Sequence, residues 1–118
     1  MNDTMQQALE SIGVDIQQTL ARFAGNEMLL TRFLKKFPDD ETFNRLTAAI
    51  DSGDVKAVFE QAHTLKGVAG NLGLGKVFDA VDPVVESARA GDLDTAKAAF
   101  PPVKLYYEEA VTVIRSIT

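Results

Sequence analysis

At 118 residues the chain has the length of one domain and too little material for two well-buried cores, so residues 1–118 are read as a single unit. Apolar residues at 46% against 25% charged exclude a disordered tail, and no apolar run approaches the roughly 18–20 residues that cross a bilayer. No cysteine, one histidine and a net charge of −5 exclude disulfides, thiolate chemistry and Cys- or His-rich metal cages, and make nucleic acid or an anionic membrane a poor partner.

The periodicity is helical nearly everywhere, with no repeat, linker or low-complexity stretch. The opening Met1-Asn2-Asp3-Thr4 lacks the basic and apolar start of a secretory signal, so a cytoplasmic location is expected. A short amphipathic helix runs from Thr4 to about Ile12 and ends near Gly13. Asp15 then caps a second short helix, Ile16 to Phe23, closed by Gly25. Asn26 caps a longer segment with apolar positions Leu29, Leu30, Phe33, Leu34, Phe37, Leu46 and Ile50, in which Pro38 predicts a kink or a break. Ser52-Gly53-Asp54 reads as a turn whose Asp54 caps the next helix, Val55 to about Leu72, ended by Gly73 and Gly75. A further helix covers Lys76 to Ala90 with a bend expected at Pro83. After Gly91-Asp92, the last begins near Asp94. Its Ala96, Phe100, Val103, Tyr107, Ala110, Ile114 and Ile117 form one apolar face, and Pro101-Pro102 predicts a kink or restart. These elements predict an all-α fold: an antiparallel up-down four-helix bundle with one or two short N-terminal helices over one end.

The Val55–Leu72 helix carries the chemistry. At about 100° per residue, Ala62, Leu65, Ala69 and Leu72 fall within about 40° of Val58 and form the core stripe. His63 falls roughly 140° away, on the solvent side, with Phe59, Lys66, Gly67 and Gly70 at offsets that share its face. Two glycines in mid-helix cost about 1 kcal/mol each relative to alanine, and the wheel turns both away from the core. The reason left for them is close approach by something from outside. An exposed imidazole is a good nitrogen nucleophile near neutral pH. A hydrolase would add an orienting carboxylate and an oxyanion hole, and this helix offers neither. Phosphoryl acceptance asks for less: an accessible nitrogen, and positive charge such as Lys66 to meet the phosphoryl oxygens.

The run Ala62-His63-Thr64-Leu65-Lys66-Gly67-Val68-Ala69-Gly70-Asn71-Leu72-Gly73 closely resembles the motif of histidine-containing phosphotransfer (HPt) domains, in which the histidine is followed by x-Leu-Lys-Gly and small residues. Gly53-Asp54 before the helix, the Glu86-to-Asp92 segment after it, and Val14 to Pro38 extend the resemblance over most of the chain. The resemblance implies that His63 is the phosphoacceptor through Nε2, that Lys66 steadies the phosphoryl group, and that Gly67 gives clearance to a docking receiver domain. It implies carriage between aspartates of response-regulator receiver domains, possession by a hybrid sensor histidine kinase or by a free protein, and no kinase activity. It implies no cofactor either, Mg²⁺ being held by the receiver. Phe59 and Gly70 are the further candidates for partner docking, and a monomer is expected. Many relatives carry Glu or Gln twenty-two residues after the histidine, to hydrogen-bond the ring; here that position is Val85, with Glu86 beside it. Either Glu86 takes over or the contact is absent. Lys56 and the pair Lys35-Lys36 read as solvated surface. Two other classes compete: an adaptor bundle, which would lack the histidine or lysine, and a carboxylate-bridged metalloenzyme, which needs Glu-x-x-His pairs on two helices.

Overall fold

Side-chain caps start five of the seven helices. In the computed structural model, which describes residues 1–118, Asn2, Asp15, Asn26, Asp54 and Asp92 each accept a hydrogen bond from the backbone N–H three residues on. Each such bond satisfies one of the amides that a helix N-terminus leaves free. The helices are α1 (Asp3–Ser11), α2 (Ile16–Arg22), α3 (Glu27–Lys36), α4 (Thr42–Ser52), α5 (Val55–Leu72), α6 (Gly75–Arg89) and α7 (Leu93–Ile117). Asp92 also accepts from the Thr95 hydroxyl, and these bonds hold its carboxyl below its ordinary value of 3.8. The capping contribution is therefore complete above that value and fades as pH falls through the lower folded one.

The fold is the expected all-α bundle. α4 packs on α5, α5 on α6 and α6 on α7, each pair joined by a turn too short for anything but antiparallel neighbours. Phe43 of α4 stacks on Tyr107 of α7 with ring centroids 3.9 Å apart, and on Phe100 at 5.9 Å, which closes the ring of four. One cluster of buried side chains runs through the bundle, with Leu46, Val58, Leu65, Val81, Val84 and Ile114 fully enclosed. No helix is long and apolar enough to cross a membrane.

The prolines divide into two kinds. Pro38 sits in a single 3-10 turn, Phe37–Asp39, that separates α3 from α4, so the segment read as one interrupted helix is two. Pro83, Pro101 and Pro102 interrupt nothing: α6 and α7 are continuous helices through them. All three are exposed, as are Asp79, Lys97 and Ala98, whose carbonyls lose their helical partners; water satisfies those oxygens at little cost. One boundary also moves: Gly75 opens α6 rather than closing α5. α7 begins at Leu93 on its Asp92 cap, next to the expected Asp94. Phe33, one of the apolar positions of the segment capped by Asn26, is 45% exposed and leans on Phe23 with centroids 5.5 Å apart.

α2 is docked by absent side chains. A Cβ on Gly75 would lie 2.8 Å from the carbonyl oxygen of Gly13, and one on Gly73 would overlap the hydroxyl of Thr19, a fully buried residue of α2. The α5–α6 turn thus lets α2 and the loop before it approach at backbone distance. Arg22, the last residue of α2, donates from Nη1 to the Gly70 carbonyl at 2.6 Å.

Candidate functional site

The α5 core stripe is as the helical wheel has it, with Val58, Ala62, Leu65, Ala69 and Leu72 buried. That packing turns His63 to solvent. Its ring lies nearly parallel to Phe59 one turn earlier, centroids 5.6 Å apart and planes at 13°. Phe59 is half-buried, and the Arg89 guanidinium lies 5.0 Å from its ring centre on the other side of the hairpin. Glu86 stands 3.5 Å from Arg89 Nε. No side chain or backbone group hydrogen-bonds the imidazole. Of the two alternatives for Glu86, the contact is absent, and Val85 is fully buried in the core. The ring is oriented by stacking instead, on a phenyl group that a cation backs.

His63 opens on a depression of about 380 Å³ lined by Arg22, His63, Lys66, Gly67, Gly70, Asn71 and Phe78. No carboxylate lines it. The five residues read from sequence are brought to one surface, though not in equal roles. Gly67 is bare: a Cβ there would meet nothing within 4 Å. At Gly70 the close approach comes from within the bundle, since a Cβ would lie 3.3 Å from the Phe78 ring. Lys66 is not a free cation. Its Nζ is 2.6 Å from Asp82 Oδ1 and 5.2 Å from the Phe78 ring centre. Both partners are partly exposed, so the pair contributes about 1 kcal/mol or less and can be exchanged for a competing anion.

Sequence reading missed Asp82, Phe78, Arg22 and the place of Arg89 beside the site. Three of these had a signal. In an antiparallel helical hairpin, residues equidistant from the turn face one another. Gly70 and Phe78 stand four residues either side of Leu74, Lys66 and Asp82 eight, and Phe59 and Arg89 fifteen. His63 and Val85, eleven either side, complete the series. Arg22 has no such signal, because it arrives from α2, outside the hairpin.

A second depression, about 510 Å³, adjoins the first, with Arg22 and Asn71 lining both; its apolar wall is Phe23, Phe33, Phe37, Val68 and Leu72. Among protein-family models, the one described as the Hpt domain matches residues 28–113, which covers α3 through most of α7 and leaves α1 and α2 outside. No curated protein and no solved structure matches the chain.

Proposed function

The chain belongs to the Hpt domain family, and on that premise we propose that it is a phosphoryl carrier of a multistep phosphorelay. It takes the group from a receiver-domain aspartate onto His63 Nε2 and passes it to the aspartate of another receiver. The observation that carries the reading is the exposed, stacked imidazole at the mouth of a depression with a cationic wall and a bare Gly67.

In the acceptance step the Nε2 lone pair forms a bond to phosphorus as the aspartyl O–P bond breaks, and that bond's electron pair returns to the carboxylate. The ring keeps its Nδ1 proton, so no proton has to move at the moment of transfer. Onward transfer is the reverse, with the second aspartate as nucleophile. Such a step asks the carrier for positioning and for positive charge near the equatorial oxygens. Lys66 supplies charge by exchanging Asp82 for the phosphoryl oxygens. The carrier phosphorylates nothing by itself and has no cofactor; Mg²⁺ belongs to the receiver. It works as a monomer in the cytoplasm, where receivers and sensor kinases meet it. Phe59, Gly67 and Gly70 lie under the docked receiver, and the adjoining apolar depression with its exposed Phe33 widens the contact area.

The reading is tested by mixing the protein with a phosphorylated receiver domain and following acid-labile, base-stable label on the carrier. A carrier that takes up no such label from any receiver refutes it. Two variants divide the work of the surface. Gly67→Gln places a side chain in open space and replaces a mid-helix glycine, so stability is expected to rise by up to about 1 kcal/mol while transfer falls on the order of tenfold or more. Thermal melting and transfer kinetics read the two effects separately, and unimpaired transfer removes Gly67 from the docking face. Lys66→Ala is expected to slow acceptance on the order of tenfold and cost under about 1 kcal/mol in stability, since the Asp82 pair is partly exposed. An unchanged rate removes its electrostatic role.

A further inference from the structure

The positive charge at the His63 depression is divided unevenly. Of its two cationic residues, Lys66 is matched by Asp82 at 2.6 Å, whereas Arg22 pairs with no carboxylate. The single bond of the Arg22 guanidinium is to the Gly70 carbonyl, which leaves most of its five N–H donors unspent. Two carboxylates line neighbouring depressions with it: Asp15, the α2 N-cap, engaged by the Gln18 amide, and Asp40, which accepts from the Thr42 amide; neither forms an ion pair with the guanidinium. A carbonyl near the C-terminal end of a helix is a favourable seat for a cation. The close approach of Thr19 to Gly73 and of Gly13 to Gly75 sets where α2 ends, and the bond to the Gly70 carbonyl holds the Arg22 guanidinium beside the depression.

From this we propose that Arg22 supplies the uncompensated positive charge of the phosphoryl site, a contribution from α2, which lies outside the family match at 28–113. The inference rests on the carrier reading above. A phosphoryl dianion on His63 sits in the same depression as the guanidinium, with Phe78 forming part of its wall. Arg22 therefore favours both the arrival of the group and its dianionic form, while Lys66 is still bound to Asp82.

The test uses the whole chain and needs no partner. Potassium phosphoramidate is the donor: its P–N bond breaks as the His63 Nε2–P bond forms, and ammonia leaves. Loading and the titration of the bound phosphoryl group are followed by ³¹P NMR in the native chain, Arg22→Gln and Arg22→Lys. Arg22→Gln keeps a donor for the Gly70 carbonyl and removes the charge. It is expected to load about fivefold more slowly, with the phosphoryl dianion taking up a proton at higher pH. Arg22→Lys keeps the charge and is expected to restore most of both. Native-like behaviour of Arg22→Gln, within twofold, overturns the Arg22 role and leaves the carrier reading standing. Equal impairment of both variants with a lowered melting temperature assigns Arg22 to structure alone and also overturns it. A native chain that leaves His63 unlabelled, while free imidazole in the same tube is phosphorylated, takes the carrier reading and the Arg22 role together.

Discussion

Replacing His63 by glutamine is expected to abolish phosphoryl uptake while leaving the bundle folded. The loss is total in kind, because the carboxamide offers no nitrogen lone pair able to displace a phosphorylated aspartate. The structural cost is small for the same reason that the residue is available. The ring is exposed, no group hydrogen-bonds it, and its one organised contact is the stack on Phe59. Losing that stack costs about 1 kcal/mol or less. Far-ultraviolet circular dichroism should thus be unchanged and the melting point nearly so, while label transferred from a phosphorylated receiver disappears. Label that persists in the variant places the acceptor elsewhere on the chain. Phe59→Leu is a useful companion: it keeps apolar volume, removes the stacking plane, and separates orientation of the ring from its presence.

The largest expected effect on stability lies away from the histidine, at Gly73→Ala. Two penalties coincide there. Gly73 has φ +70°, a left-handed conformation that costs an L-residue about 1 kcal/mol. Its new methyl would also overlap the Thr19 hydroxyl, with Thr19 Cβ at 3.1 Å, on a residue with no room to retreat. Together they are expected to remove about 2–4 kcal/mol, with α2 displaced from the α5–α6 turn. Gly91→Ala is the control: its φ is +76° but a Cβ there meets nothing within 4 Å, so the backbone penalty of about 1 kcal/mol acts alone. Denaturant melts of both variants make the comparison. Adding Thr19→Ala to Gly73→Ala should recover part of the loss, a non-additivity that independent sites do not show. Equal losses at Gly73 and Gly91 mean that α2 is not held against the turn. Since α2 carries Arg22, Gly73→Ala should also slow loading of His63, although every residue lining the depression is intact.

The chain's own order of residues determined six helical segments, the Asp15, Asn26 and Asp54 caps and the exposed face of α5. Each of those is a short-range matter: an aspartate meets an amide three residues on, and a repeat of 3.6 residues decides which side chains leave solvent. The Lys66-Gly67 motif after His63 determined the resemblance in the same local way, and the family match agrees with it. The hairpin pairs were present in the sequence too, as positions balanced about Leu74, but they become legible only once the turn is pinned to that residue. Shifting the centre by one residue would pair Lys66 with Ala80 or Val84 instead of Asp82. What the tertiary structure alone decided is the traffic between distant segments. It decided that Lys66 is matched by Asp82, that Gly70 is packed by Phe78 while Gly67 stays bare, and that Pro83 and Pro101-Pro102 face water and leave their helices whole. It also decided that Arg22 reaches the histidine's depression across forty-eight residues of chain to Gly70. No periodicity records such an arrival, because it depends on where two glycines let one helix sit against the end of another.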